Sequence, residues 1–449
     1  MARDYGRSQD SASALRGGAV HRSSLLRGGI YTLLIQGQVI PVQLAIAITL
    51  ARTLGPKSYG LYGFAFAVIS FIQVMPLNGL DNVLIRYGAQ YLAIGALNKY
   101  RGLLRRVRAW TLYLLMATSG FVILMDHIPF VHDVGAFSPQ ILTCGVLLLI
   151  FLPINTYCTS TIRSFDEGVA GQLPGGVVRP WAFLALIIIV KQIEPGLLNP
   201  CNALLLQGMA ALAAVVVSGV YLKRCLPVKA SREIDELDVK EWRSAILPYA
   251  LVGGLMLINQ QADMIMVGLL GGGLQAGIYK VSAQAANLIS LPLAASNIFL
   301  AQRVAAFHAR NEISKLKALL QASVRVTAAL AICAAVPMIY FGKEVLVSVF
   351  GHGYLSGYPV LVILIAAQVV NVAFGSVDLI LTMTGRQRLA VRSAGIAAVL
   401  NIVLCVVLIP IWGVTGAAIS AACSIVCWNG LMLLSVRRNI GINVTIIGR

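Results

Sequence analysis

The chain has 449 residues, 58% of them hydrophobic and 12% charged, with a formal net charge of +18. Soluble proteins carry about 25% charged residues, so this sequence lacks the ions to clothe a water-facing surface, which excludes a soluble globular protein. The basic residues fall between apolar runs on alternate sides rather than in one stripe, which marks them as topology determinants and excludes a nucleic-acid partner.

Residues 1–28 are rich in Arg, Ser and Gly and read as a disordered cytoplasmic tail. The apolar run after them is too long for a signal-peptide core and is kept as the first span. About twelve spans follow in order: 29–50, 60–82, 109–126, 139–161, 171–191, 199–222, 243–270, 277–301, 322–341, 358–383, 390–411 and 414–436. Each is long enough to cross a hydrocarbon core of about 30 Å with some tilt. The expected fold class is therefore an all-α polytopic membrane protein.

The connections show which side faces which compartment. Arg86, Lys99, Arg101, Arg105, Arg106 and Arg108 share one side with Arg163, Lys223, Arg224, Arg303, Lys315, Arg386, Arg388, Arg437 and Arg438. The other side holds only Arg52, Lys57, Lys191 and Lys343. The positive-inside rule places the first set and both termini in the cytoplasm.

The longest inner connection, 223–242, contains "REIDELDVKEW" and is too short for a nucleotide-binding fold. No GxxxxGK[ST] motif occurs, and "GLLGGG" closes a span rather than following a strand, so it reads as a flexible turn. The outer connections are short and poor in Arg, which argues against a membrane-embedded polymerase or ligase; no enzyme activity and no cofactor are expected. His127 and His132 lie in one such loop with Asp126 and Asp133, and the bland reading of a solvated loop outweighs a metal site there. Most of the eight cysteines, Cys144 and Cys405 among them, sit inside apolar runs and read as small hydrophobes.

An internal repeat is visible. Gly60, Tyr62, Arg86 and Ala89 recur as Gly277, Tyr279, Arg303 and Ala306, all 217 residues apart. Six spans separate the copies, so equivalent spans cross the membrane in the same sense. The expected architecture is two six-helix bundles, 29–222 and 243–436, joined by the 223–242 linker, with a 437–449 tail and a cleft between the bundles.

Several stretches together resemble a known family. They are "ARTLGPKSYGLYGFAF" and "GLDNVLIRYGAQYL" around the second span, "GIYKVSAQAANLISLPLAA" in the eighth, "LTMTGRQRLA" after the tenth, and "LIPIWGVTGAAIS" between the last two. These resemble the polysaccharide-exporter flippases of the multidrug/oligosaccharidyl-lipid/polysaccharide superfamily, over about residues 29–436. The resemblance implies the superfamily fold, a bacterial inner-membrane location, and a cargo of undecaprenyl-diphosphate-linked oligosaccharide. It also implies membrane lipids, and polymerase and chain-length proteins, as partners. A cation-coupled multidrug exporter of the same superfamily is the alternative, and it requires a cleft lined by carboxylates.

Ions inside spans cost about 2.5–3.5 kcal/mol at a helix centre, so each calls for an explanation. Arg179 lies about 13 Å along the fifth helix, next to Pro180, and is either an anion site for the diphosphate or half of a buried ion pair. Asp263 and Lys280 sit in the seventh and eighth spans, as a structural ion pair or as a phosphate contact beside an ion-coupling carboxylate for H+ or Na+. Asp378 is a second coupling candidate, with pairing to Arg386 or Arg388 as its bland reading. Arg86, Arg303 and Arg325 lie near the cytoplasmic boundary and either snorkel to headgroups or guide the incoming diphosphate. Asp81 is the expected neighbour of Arg86.

Overall fold

A computed structural model describes residues 4–126, 139–165, 167–225, 239–310 and 312–441. The loop carrying His127, His132 and Asp133 and most of the charged linker lie outside the described residues. Among the described residues the chain is helical throughout. Ten stretches are long and apolar enough to cross a membrane, and two of them, Leu34–Gln73 and Val239–Ala301, are broken within by a glycine. Separating these two at their breaks yields the twelve helices expected from hydropathy.

The stretch Asp4–Ala93 is divided at Gly55 into α1 (4–54) and α2 (56–93). Then follow α3 (Leu97–Asp126), α4 (Val146–Ser164), α5 (Gly168–Ile193) and α6 (Pro200–Cys225). Residues 239–309 are divided at Gly272 into α7 (239–271) and α8 (273–309), the latter passing through a 3-10 turn at Leu288–Ser290. The last four are α9 (Ile313–Tyr340), α10 (Tyr358–Phe374), α11 (Gln387–Trp412) and α12 (Val414–Ile440). The tenth span is interrupted at Gly375 and resumes as Val377–Met383.

Gly55 and Gly272 are repeat equivalents and adopt the same backbone, φ 72°, ψ 171° and φ 77°, ψ 178°. Only glycine enters that region readily. "GLLGGG" is therefore no flexible turn. It is a one-residue break, after which the helix restarts at once.

The two halves meet through these restarts. A side chain on Gly60 would overlap the Gly273 carbonyl, and one on Gly277 would overlap the Pro56 carbonyl. Each contact is the image of the other under the 217-residue repeat, so α2 and α8 cross about a local two-fold axis. In lipid, where apolar surface alone does not drive helices together, such close backbone approach at small-xxx-small spacing supplies the packing. At the other end of α2 a second junction forms with α7. There Trp242 is fully buried and its Nε1 donates to Tyr91 Oη at 3.0 Å, and the apolar cluster around it includes Val83, Leu84 and Leu103.

Cys144 departs from the sequence reading. It ends a short helix, Pro139–Cys144, that stops at Gly145, and it forms a disulfide with Cys201 in the first turn of α6, with Cα atoms 5.3 Å apart. The two cysteines are 57 residues apart in sequence. The span break at Gly145 brings them together, which hydropathy does not encode.

Candidate functional site

Arg179 sits where α5 is least regular. Residues Pro174–Val178 form a π-turn, and Arg179 and Pro180 restart the α-helix. Such one-turn bulges turn the next side chains away from their regular face and recur at functional positions. Arg179 is half-buried. Its electrostatic neighbour is the Tyr62 hydroxyl on α2. No carboxylate lies within ion-pair distance of it among the described residues. The buried-ion-pair reading of Arg179 finds no acid to pair with among the described residues.

Lys280 comes to the same tyrosine from the other half of the molecule. Its ammonium lies 4.6 Å from the Tyr62 ring centre and 4.9 Å from that of Tyr59. Ammonium over an aromatic face gains electrostatic attraction, more so when water is excluded. Gly63 makes room for this. It is the repeat equivalent of Lys280, and a Cβ there would lie 2.7 Å from the Lys280 Nζ. Tyr62 in turn donates its hydroxyl proton to Gln207 Oε1 on α6 at 2.9 Å, and Tyr59 donates to Gln284 Oε1 on α8 at 3.4 Å. Lys280 of α8 thus lies over the Tyr62 ring, and Arg179 of α5 acts electrostatically on the same tyrosine.

The expected Asp263–Lys280 ion pair does not form. Residues 279 and 280 differ by about 100° around their helix, so Tyr279 faces α7 while Lys280 turns to α2. The Asp263 carboxylate accepts from Tyr279 Oη at 2.9 Å and from Asn401 Nδ2 of α11 at 2.6 Å, with the Cys405 Sγ at 3.9 Å. Cys405 is accordingly more than a space-filling hydrophobe.

The remaining candidates lie apart from this centre. Arg86 is exposed, donates to Tyr249 Oη of α7 at 3.1 Å, and stands 5.5 Å over the Tyr87 ring. It does not pair with Asp81, whose carboxylate is bonded by Ser160 of α4, because a five-residue spacing leaves the two on different faces. Arg303 and Arg325 are exposed. Asp378 is exposed in the first turn of Val377–Met383, where a negative charge complements the helix dipole. It forms no ion pair with Arg386 or Arg388.

Sequence reasoning missed Tyr59, Gln207 and Asn401, and it took Tyr62 and Tyr279 only as repeat markers. The available signal was the run of aromatic residues at 59, 62 and 66, which places three rings on one helix face. Tyr59–Tyr62 and Tyr62–Phe66 ring centres are 6.1 and 6.4 Å apart.

Comparison with known proteins bears on the family and the fold. Over 164 residues, 36% of this chain and 34% of the relative, the sequence is 26% identical to the probable low-salt glycan biosynthesis flippase Agl15 of Haloferax volcanii. The match thus spans about a third of that relative's length. Two solved structures share the fold. One is an inward-facing multidrug resistance MATE family transporter of the MOP superfamily (TM-score 0.72, 14% identity, 92% of this chain and 98% of that one). The other is the lipid II flippase MurJ in an inward closed conformation (TM-score 0.71, 12% identity, 91% and 87%). A family model described as "Polysaccharide biosynthesis protein" matches residues 25–299, more than half of the chain. The protein belongs to that polysaccharide biosynthesis family and is a multi-pass membrane protein with the fold shared by those two structures.

Proposed function

We propose that this protein is a flippase that moves polyprenyl-diphosphate-linked oligosaccharide, undecaprenyl in the bacterial case, across the inner membrane by alternating access of its two bundles. The observation that carries the reading is that Lys280 lies over Tyr62, with Arg179 its electrostatic neighbour, and that neither cation has an ion-pair partner among the described residues. Two cations without an acidic partner among the described residues invite an anion, and the planar guanidinium fork suits phosphate oxygens. The polyprenyl tail stays in lipid, and the sugar passes through the hydrated cleft. Arg86, Arg303 and Arg325, all exposed, are read as approach sites for the incoming diphosphate.

Asp263 is the candidate coupling group, since an intramembrane carboxylate is the usual relay for H+ or Na+. Asp378, exposed and remote from it, is the weaker one. The orientation with both termini in the cytoplasm is supported by the basic-residue asymmetry and by the Cys144–Cys201 bond. That bond would then lie on the extracytoplasmic side, where disulfides persist.

The test is deletion of the gene followed by analysis of lipid-linked intermediates. Undecaprenyl-diphosphate oligosaccharide should accumulate on the cytoplasmic face. Normal surface polysaccharide with raised drug susceptibility would instead establish the multidrug-exporter reading.

A further inference from the structure

Arg52 is one of the few basic residues on its side of the sequence, and the site described above does not use it. It lies in the last turn of α1, three residues before the Gly55 break, and it reaches across to the other half of the molecule. Its Nε donates to the Val349 carbonyl at 2.7 Å, and its Nη2 donates to the Ser348 carbonyl.

Those two carbonyls end a π-helical turn, Leu346–Phe350, which Gly351 terminates at φ 110°. The Gly351 N–H turns back to the carbonyls of Leu346 and Val347, so 348 and 349 have no following helical N–H. A helix end of this kind presents unpaired carbonyls and a partial negative charge, which a guanidinium satisfies with charge-assisted bonds.

The contact is returned. Tyr354, from the same connection, is 2% exposed and donates its hydroxyl proton to the Ala51 carbonyl at 3.1 Å, one residue before Arg52. Beside it, a side chain on Gly353 would lie 2.8 Å from the Pro56 ring. Each half therefore bonds the helix-end carbonyls of the other, next to the Gly60–Gly277 crossing. The repeat does not require this. The position equivalent to Arg52 holds Leu269, which is partly exposed and makes no such bond.

We propose that Arg52 and Tyr354 form a reciprocal latch that holds the Gly55 end of the cleft shut and is released when the cleft opens on that side. The latch suits reversible opening. Arg52 and Ser348 sit at an exposed rim, where water replaces their bond when it is lost, so its net worth stays small, and only the Tyr354 bond is buried. The inference rests on the alternating-access reading only for when the latch opens; whether it closes that end is testable without transport.

The experiment places a reporter thiol below the latch, Gln284→Cys. It follows the labelling of that thiol by a membrane-impermeant maleimide applied to sealed vesicles from the Gly55 side, with the unsubstituted protein as background. Adding Arg52→Ala and Tyr354→Phe together should speed labelling about tenfold, the population shift expected from losing two to three modest bonds. Unchanged or slower labelling would overturn the proposal. As a second variant, Arg52→Cys with Ser348→Cys should crosslink on oxidation and protect the reporter, and a reductant should restore labelling. Failure to crosslink, or a crosslinked protein that still labels freely, would overturn it as well. The expected labelling changes in a protein whose deletion leaves surface polysaccharide normal would count against the cargo assignment and leave the latch standing.

Discussion

Tyr62 and Tyr279 occupy equivalent positions in the two repeats and face opposite charges. Tyr62 lies under the Lys280 ammonium and beside Arg179, whereas Tyr279 donates to the Asp263 carboxylate at 2.9 Å. The repeat kept the aromatic scaffold and divided the electrostatics. One tyrosine gathers cations where the bundles meet, and the other pins an acid among α7, α8 and α11. Asp263 and Lys280, seventeen residues apart on α7 and α8, thus take different partners and form no salt bridge with each other.

Arg179→Ala should abolish export, and Arg179→Lys should retain part of it, because lysine keeps the charge but loses the planar fork. Quantifying surface polysaccharide at matched protein levels checks both. Full export by the alanine variant would remove Arg179 from the site.

Substituting Tyr62 separates its two roles. Tyr62→Phe keeps the ring under Lys280 and loses the bond to Gln207. That costs about 1 kcal/mol, or roughly fivefold in affinity for the lipid-linked cargo. Tyr62→Ala also removes the aromatic face, worth up to about 2 kcal/mol more when desolvated. Binding of a polyprenyl-diphosphate ligand to purified protein should therefore weaken in the order wild type, phenylalanine, alanine.

Gly60→Ala and Gly277→Ala should each destabilise the protein by several kcal/mol, since the added methyl meets backbone that cannot swing aside. Gly219→Ala, on α6 with nothing within 4 Å, provides the control and should be neutral or stabilising by up to about 1 kcal/mol. Thermal unfolding in detergent compares the three. Equal stabilities would show that the α2–α8 crossing is looser than described.

Asp263→Asn preserves the shape of the carboxylate and its hydrogen-bonding neighbours while removing the charge. It should leave the fold intact and make transport in proteoliposomes indifferent to an imposed H+ or Na+ gradient. Asp263→Ala should also destabilise, by about 1–3 kcal/mol, because Asn401 and Tyr279 lose a buried acceptor. A gradient response that survives in the asparagine variant would move coupling elsewhere.

The Cys144–Cys201 bond should resist alkylation until the protein is reduced, whereas the free thiol Cys225, at the end of α6, reacts without a reductant. Reduction should lower thermal stability by at most about 4 kcal/mol, the loop-closure limit for a bridge of this span. Mass spectrometry of alkylated peptides before and after reduction decides the first point.

Hydropathy was enough to determine the span count and the membrane class. Those properties depend on how each segment partitions between water and lipid, and partitioning is local. The 217-residue offset even marked Gly60, Tyr62, Gly277 and Tyr279, and the cost of burying an ion singled out Arg179, Asp263 and Lys280. What those residues touch was settled only in three dimensions. Lys280 and Asp263 are close in sequence and opposite in charge, yet the glycine break and the 100° step between neighbours send them to different helices. Cys144 finds Cys201, and Arg52 finds Ser348 and Val349, across stretches of chain that carry no local trace of the meeting. Side-chain partners in a helical bundle follow from helix rotation and crossing, which are set by packing among all the helices together.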